Sequence, residues 1–399
     1  MVRRENNHKN FKAFSLIFFC ICCVLLLVTN RFSRDTIEEL SDNDLEELKN
    51  IVIQFDDVPD EHIEVEENEV LDGKKLLDLE EVNLMRNYSL SNFVANVTKK
   101  QHNLVLASWR TGSTLTGDIL KSYPRAFYHY EPFCFVQQHL HGLNSSAAQD
   151  VLKKLFLCKY DALDRMLEFN NRKRWLWSFN TQLWPFCNAF RPFCKSPKFL
   201  TSVCQIFPVQ LVKTVRLGLT DVSAMLDDKD LNLKILLLVR DPRGVMNSRG
   251  KINWCTKSED CMNMEMLCKR MEADYEEAKR IQKHKSAHIQ VVRYEDLVSW
   301  PHRTTKSIFE FFGMEVTKEV VNYLNRNTMS QVGRTRPEIA AMMRRHGAVY
   351  SKWVHEMEFD DILEVQKYCK KAMELFGYRE MDNWTEKGPL FETLSEFKF

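Results

Sequence analysis

Two short stretches gather residue types that hold anions, and a third supplies a carboxylate. The first is LASWRTGSTL, residues 106–115. Its glycine, Gly112, is followed by Ser113 and Thr114 and preceded by Arg110 and Thr111. A phosphate-binding P-loop reads G-x-x-x-x-G-K-[ST]; here the first glycine and the lysine are both missing. A glycine turn that feeds a helix still presents backbone N–H groups and the positive end of the helix dipole to an anion. Arg110 adds a planar, permanently charged fork suited to phosphate or sulfate oxygens. Taken alone, the stretch also reads as a plain strand–helix turn capped by hydroxyl side chains.

The second stretch is LLLVRDPRGVMNSRG, residues 236–250. Arg240 directly follows an apolar run, Pro242 can open a helix, and Ser248 lies further along it. Ligands of open α/β sheets bind at the C-terminal ends of the strands. A guanidinium and a hydroxyl there can clamp a second phosphate. The competing reading is an Arg–Asp salt bridge beside a helix N-cap.

The third stretch, YHYEPF, holds Glu131. A carboxylate in reach of a hydroxyl can take its proton as a nucleophile is formed. His129 is the rival base, two residues away and on the same face of a strand. Lys213 and Arg216 in VKTVRL are secondary candidates for stabilising charge, with plain solvation or ion pairing as the alternative. Arg293 and Glu295 in VVRYEDL read as structural, a salt bridge near the sheet end.

These stretches need a scaffold of alternating strands and helices. The runs HNLVLAS, RAFYHY, PVQLVKTVRL, NLKILLLV and HIQVVR are all strand-like. The uninterrupted apolar run Ile235–Val239 implies burial on both faces, as in a parallel sheet covered by helices. STLTGDILKS and EMLCKRMEADYEEAKRIQKH are helical between them. The expected fold is α/β, a P-loop-like and mostly parallel central sheet flanked by helices.

Charge is unevenly distributed along the 399 residues. The net charge is +1, yet residues 35–82 hold 19 acidic residues against 3 basic ones, so residues 83–399 are strongly basic. A basic domain suits a nucleotide, phosphate, sulfate or acidic glycan. No zinc-finger spacing, RNA-binding sheet motif or basic helix supports a nucleic-acid partner.

Residues 13–29 form an uncharged apolar run preceded by Arg3, Arg4, Lys9 and Lys12. Its length, at the lower edge for spanning a bilayer, and its flanking charge predict a type II signal-anchor. A cleaved signal peptide is the alternative, although no small-residue cleavage site follows. The expected organisation is a cytosolic tail at 1–12, the anchor at 13–29, an acidic lumenal stem at 30–100 and one catalytic domain at 101–399. Sequons at Asn87, Asn96, Asn144 and Asn383 agree with a lumenal location. Nine cysteines lie outside the apolar run, so several should pair and at least one must be left over. No C-x-x-C pair suggests structural zinc. The aromatic block RWLWSFNTQLWPFCNAFRPFC, residues 174–194, admits sugar stacking but reads better as core plus a loop tied by Cys187 and Cys194.

Read in order, WRTGST, YHYEP, VKTVRL, LLLVRDPRGVMNSR, VVRYEDL and SKWV with CKKAMELFGY resemble the Golgi carbohydrate 6-O-sulfotransferases. These act on N-acetylglucosamine, galactose or N-acetylgalactosamine. The resemblance covers about residues 102–380. The family's first loop typically reads R-S-G-S-S, and the loop here keeps its charge, glycine and hydroxyls. The resemblance implies the donor 3′-phosphoadenosine 5′-phosphosulfate, with Arg110, Thr111, Gly112, Ser113 and Thr114 around its phosphosulfate and Arg240 and Ser248 on its 3′-phosphate. It further implies Glu131 as base, no metal, a glycan or proteoglycan acceptor, a Golgi membrane location and a stem that can support a homodimer. Arg334, Arg336 and Trp353 fall where the family has a late nucleotide-contacting region. Two other classes compete: a lumenal kinase, which would need magnesium, and a non-catalytic glycan-binding protein on a degenerate sulfotransferase fold.

Overall fold

The structure is a computed structural model that describes residues 100–136, 144–189, 194–328, 352–383, 394, 395, 397 and 399. The expected anchor, nearly all of the stem, Asn87, Asn96, Arg334 and Arg336 lie outside them. No helix among the described residues is long and apolar enough to cross a membrane.

Five strands form one sheet: β1 (Gln101–Ala107), β2 (Ala126–Tyr130), β3 (Val209–Thr214), β4 (Leu233–Val239) and β5 (Ile289–Arg293). Their order is β2-β3-β1-β4-β5, and every neighbouring pair is parallel. All five C-terminal ends therefore lie along one rim. The longer helices are α1 (Ser113–Lys121), α2 (Ser145–Phe156), α3 (Asp164–Arg172), α4 (Pro197–Ile206), α5 (Pro242–Gly250), α6 (Met264–Lys285), α7 (Pro301–Phe312), α8 (Lys318–Thr328) and α9 (Phe359–Phe376).

The sheet is buried on both faces, as the apolar run in β4 predicts. Val105, Leu211, Leu236 and Leu238 point to a core shared with Ile119 of α1, Phe309 and Phe312 of α7 and Leu324 of α8. On the opposite face His102 packs against Phe156 of α2. Burying each large side chain contributes roughly 1.5–3 kcal/mol, so the sheet holds the rim loops on a rigid base.

Four disulfides close within the described residues: Cys158–Cys204, Cys187–Cys194, Cys255–Cys261 and Cys268–Cys369. Cys134 is left over, as the odd count requires. The 187–194 bridge ties the aromatic loop, and Leu176, Trp177 and Leu183 from that block are core residues.

Candidate active site

β1 ends at Ala107, and the chain turns through Ser108–Gly112 into α1. Thr111 fixes the turn by donating from both its amide and its hydroxyl to the Ser108 carbonyl, the hydroxyl at 2.8 Å. Gly112 caps α1 with φ 92° and no side-chain cap. The first N–H groups of a helix have no partner within it, so they remain directed at the rim. A β-carbon on Gly112 would collide with the Tyr294 ring, so glycine is required by space as well as by φ.

The rim brings the two arginine loops together. Arg110 Nε donates to Ser248 Oγ at 3.0 Å. Arg240 Nη1 donates to the Arg110 carbonyl at 3.0 Å. The Arg240 guanidinium lies 4.6 Å from the centre of the Tyr294 ring, and its buried Nε has no hydrogen-bond partner. Ser248 is thus bonded to Arg110 rather than to Arg240, and Arg110 is the hub of the pair.

The Arg–Asp pairing feared for Arg240 is taken by its neighbour. Asp241 N-caps α5 by accepting from the Arg243 amide at 2.9 Å, and it pairs with the fully buried Arg243 side chain at 2.8 Å. Arg243 also donates to Gln366 and stacks 4.0 Å from the Trp353 ring. Trp353, which falls where the family has a late nucleotide-contacting region, is buried against this guanidinium. Arg240 is therefore left to the rim.

Glu131 follows β2 directly with φ 47°. Its carboxylate accepts from Lys213 Nζ at 2.6 Å, Arg216 Nη1 at 2.8 Å and the Val215 amide at 3.4 Å. Lys213 and Arg216 are thus ion-paired rather than freely solvated. The left-handed turn separates Glu131 from His129, which a continuous strand would have placed on the same face. His129 is sealed, with Tyr160 Oη at 3.0 Å from Nδ1 and Gln210 Oε1 at 3.4 Å from Nε2. Burial lowers its pKa to about 4. That geometry keeps the imidazole away from Glu131's partners, against its expected rivalry as a base.

Arg110 is left-handed too, with φ 71°. Such a conformation costs on the order of 1–3 kcal/mol for a residue with a side chain. Of the four non-glycine residues with positive φ among the described residues, two are Arg110 and Glu131; the others, Cys158 and Lys195, are in or beside disulfides. Strain thus falls on the two residues picked for chemistry.

Arg293 and Glu295 prove structural but do not pair with each other. Arg293 binds Asp296 at 2.8 Å and the carbonyls of Phe376, Gly377 and Ser395. Glu295 accepts from the Asp241 amide at 3.1 Å and the Tyr378 hydroxyl at 3.0 Å. Burial, with Asp241 nearby, raises its pKa to about 7.

Two contributors escaped the sequence reading. Tyr294 supports both Gly112 and Arg240; its signal was an aromatic residue at the end of a strand. Arg270 of α6 donates to the carbonyls of Ala107 at 3.1 Å and Val215 at 3.3 Å, and also to Leu217. It ties the ends of β1 and β3, and nothing in its local sequence marks it. Cys134 sits beside this rim with its thiol pushed up to about 11 by burial, so it stays protonated.

The sulfotransferase domain family matches residues 100–377, from before β1 to the end of α9. The chain belongs to that family. It is 27% identical to carbohydrate sulfotransferase 5 of Mus musculus over 337 residues, covering 74% of this chain and 85% of that protein. It is 27% identical to carbohydrate sulfotransferase 6 of Homo sapiens, over 70% of this chain and 80% of that protein. A mouse sulfotransferase, SULT7A1, solved in complex with PAP, aligns with a TM-score of 0.38 at 9% identity, covering 71% of this chain and 87% of that chain. The rim of this sulfotransferase carries the linked loops of Arg110 and Arg240, with a clamped carboxylate at the end of β2.

Proposed function

We propose that this sulfotransferase moves a sulfuryl group from 3′-phosphoadenosine 5′-phosphosulfate to a sugar hydroxyl of a glycan or proteoglycan. The position is the 6-O of N-acetylglucosamine, galactose or N-acetylgalactosamine. The observation that carries this reading is the meeting of the two anion loops at Arg110, on the rim that also holds Glu131. A nucleotide with phosphate groups at two ends needs two such sites; a single phosphate does not.

The residues present fit the donor. The uncapped start of α1 offers amides, and Arg240 Nε is a buried donor with no partner. Arg110–Thr114 would hold the phosphosulfate, and Arg240 with Ser248 the 3′-phosphate. The donor, when bound, supplies an activated sulfuryl group with a phosphate leaving group. Glu131 would take the proton of the acceptor hydroxyl. Lys213 holds that carboxylate in place and would offset negative charge growing beside it. The names of the relatives support a carbohydrate acceptor.

The domain at 101–399 would work in the Golgi lumen, carried by the anchor at 13–29 and the acidic stem at 30–100, with the stem as a surface for a homodimer. Four disulfides and an exposed sequon residue, Asn144, support that compartment. The test is a transfer assay with full-length chain, radiolabelled donor, no added metal, and desulfated keratan, chondroitin and mucin-type glycans. Label on one glycan, lost in Arg110→Ala, is the expected result. Donor binding without label on any glycan would overturn the carbohydrate reading.

A further inference from the structure

Arg249, next to Ser248 in the last turn of α5, is 3% exposed. Its Nε and Nη2 both donate to the Trp109 carbonyl at 3.3 Å, and its Nη1 donates to the Cys261 carbonyl at 2.7 Å. Burial, with the charge of Arg270 nearby, lowers its pKa to about 10, so it stays charged near neutral pH. Burying a charge costs far more than burying a neutral donor. Satisfying two carbonyls does not by itself require a guanidinium. Spanning two separate segments in one fixed geometry does.

Those segments are the β1 loop and a small knob. The knob consists of two short helices, Asn253–Thr256 and Glu259–Met262, closed by the Cys255–Cys261 disulfide. Both cysteines are buried, and the Ile252 amide, just before the knob, donates to the Arg249 carbonyl at 3.0 Å. The knob touches the β1 loop a second time through Trp254, whose ring meets Trp109 edge-on with centres 5.7 Å apart. The Trp109 carbonyl belongs to the peptide plane before Arg110. The Arg110 carbonyl, held by Arg240, belongs to the plane after it. A peptide unit is planar, so fixing both planes fixes φ and ψ of the residue between them. That residue is Arg110, whose left-handed backbone persists only where its surroundings over-determine it.

We propose that Arg249 is a positioning residue for the donor loop, with the Cys255–Cys261 knob as its anchor. The knob holds Arg249, Arg249 holds the Trp109 peptide, and Arg110 is thereby kept in the conformation that meets Ser248. Losing Arg249 should weaken donor binding and spare the acceptor side, since Glu131 follows β2, two strands away from β1. This rests on the donor reading given above.

The test uses the full-length chain, adenosine 3′,5′-bisphosphate as the probe of the donor site, and the glycan labelled in the transfer assay as acceptor. Arg249→Met roughly keeps the side chain's length and removes the fork. It should weaken the bisphosphate about tenfold, as loss of a charged hydrogen bond does, and leave the acceptor KM within about twofold. Arg249→Lys, able to hold one carbonyl, should recover part of the loss. Trp254→Ala, and Cys255→Ala combined with Cys261→Ala, leave Arg249 in place and loosen its anchor. Each should weaken the bisphosphate about threefold, the scale of one aromatic pair. Arg249→Met that melts as wild type does and binds the bisphosphate with unchanged affinity overturns the assignment. So does a lowered melting temperature with equal losses on the donor and acceptor sides, which marks a general structural role. If Arg249→Met does not fold, the knob variants decide, and wild-type affinity in both overturns it. Wild-type protein that does not hold the bisphosphate overturns the donor reading, and the positioning role with it.

Discussion

Arg110 and Ser248, 138 residues apart in sequence, are joined by a 3.0 Å hydrogen bond across the rim of the sheet. The hydroxyl of α5 holds the guanidinium of the β1 loop, so each loop positions the other. Ser248→Ala should therefore do more than remove one phosphate contact. Its donor KM should rise about 10-fold or more, a charged hydrogen bond being worth ~1.5–3 kcal/mol, while the acceptor KM stays put. Initial-rate kinetics with each substrate varied in turn would check this; equal changes in both constants would speak for a general loss of structure.

Gly112→Ala should damage the loop from two directions. The residue has φ 92°, and the added methyl would meet the Tyr294 ring that also supports Arg240. We expect a loss of about 1–3 kcal/mol or more in stability and weaker binding of adenosine 3′,5′-bisphosphate. Thermal melting and calorimetric titration would measure both.

Glu131→Gln should lower kcat by about 10²–10⁴-fold, the range for loss of a positioned base, with little change in donor affinity. The same change leaves Lys213 and Arg216 without a charged partner. Breaking a buried pair costs about 3–5 kcal/mol, and the 22% exposure of the Arg216 side chain softens that. A companion Lys213→Met variant separates the effects: it should loosen the carboxylate without removing it. Retention of near wild-type kcat in Glu131→Gln would exclude the assigned role.

Stability should respond to pH through two buried groups of opposite sign. Glu295, raised from 4.5 to about 7, keeps a proton in the folded state that the unfolded chain has released. Its contribution is complete below about pH 4.5 and is lost as pH rises to about 7. His129, lowered from 6.5 to about 4, refuses a proton that the unfolded chain takes up. Its contribution is complete above about pH 6.5 and is lost on acidification toward pH 4. The two slopes oppose each other over the shared window. Glu295→Gln should therefore make stability increase more steeply with pH between 4.5 and 7 than in wild type. Urea unfolding at several pH values would show this, and an unchanged slope would refute it.

Most of the scaffold was legible because parallel strands buried on both faces write themselves as apolar runs. β4 is the plainest case, and α1 and α6 follow from their periodicity and position. The two loops that meet at Arg110 were legible as turns after strand ends, since glycine, arginine and hydroxyl residues follow those ends in the sequence itself. What the sequence hid depends on partners far along the chain. Asp241 next to Arg240 looked like its ion pair, but Arg243 wins because Gln366 and Trp353 complete a buried nest around it. His129 looked equivalent to Glu131 by alternation, and a single left-handed residue broke the alternation. Arg270 reaches the ends of β1 and β3 from the middle of α6, where no local pattern could announce it.

The disulfides divide the sequence cleanly. Cys158–Cys204 encloses Cys187–Cys194, and Cys255–Cys261 precedes Cys268–Cys369. Every bridge among the described residues lies wholly before residue 205 or wholly after residue 254. The bridges before residue 205 therefore need no cysteine from later in the sequence. The parallel sheet runs between the two sets, with no disulfide among the described residues crossing from one to the other. Among the described cysteines the one thiol with no counterpart, Cys134, comes first in the sequence and is the one held protonated by burial.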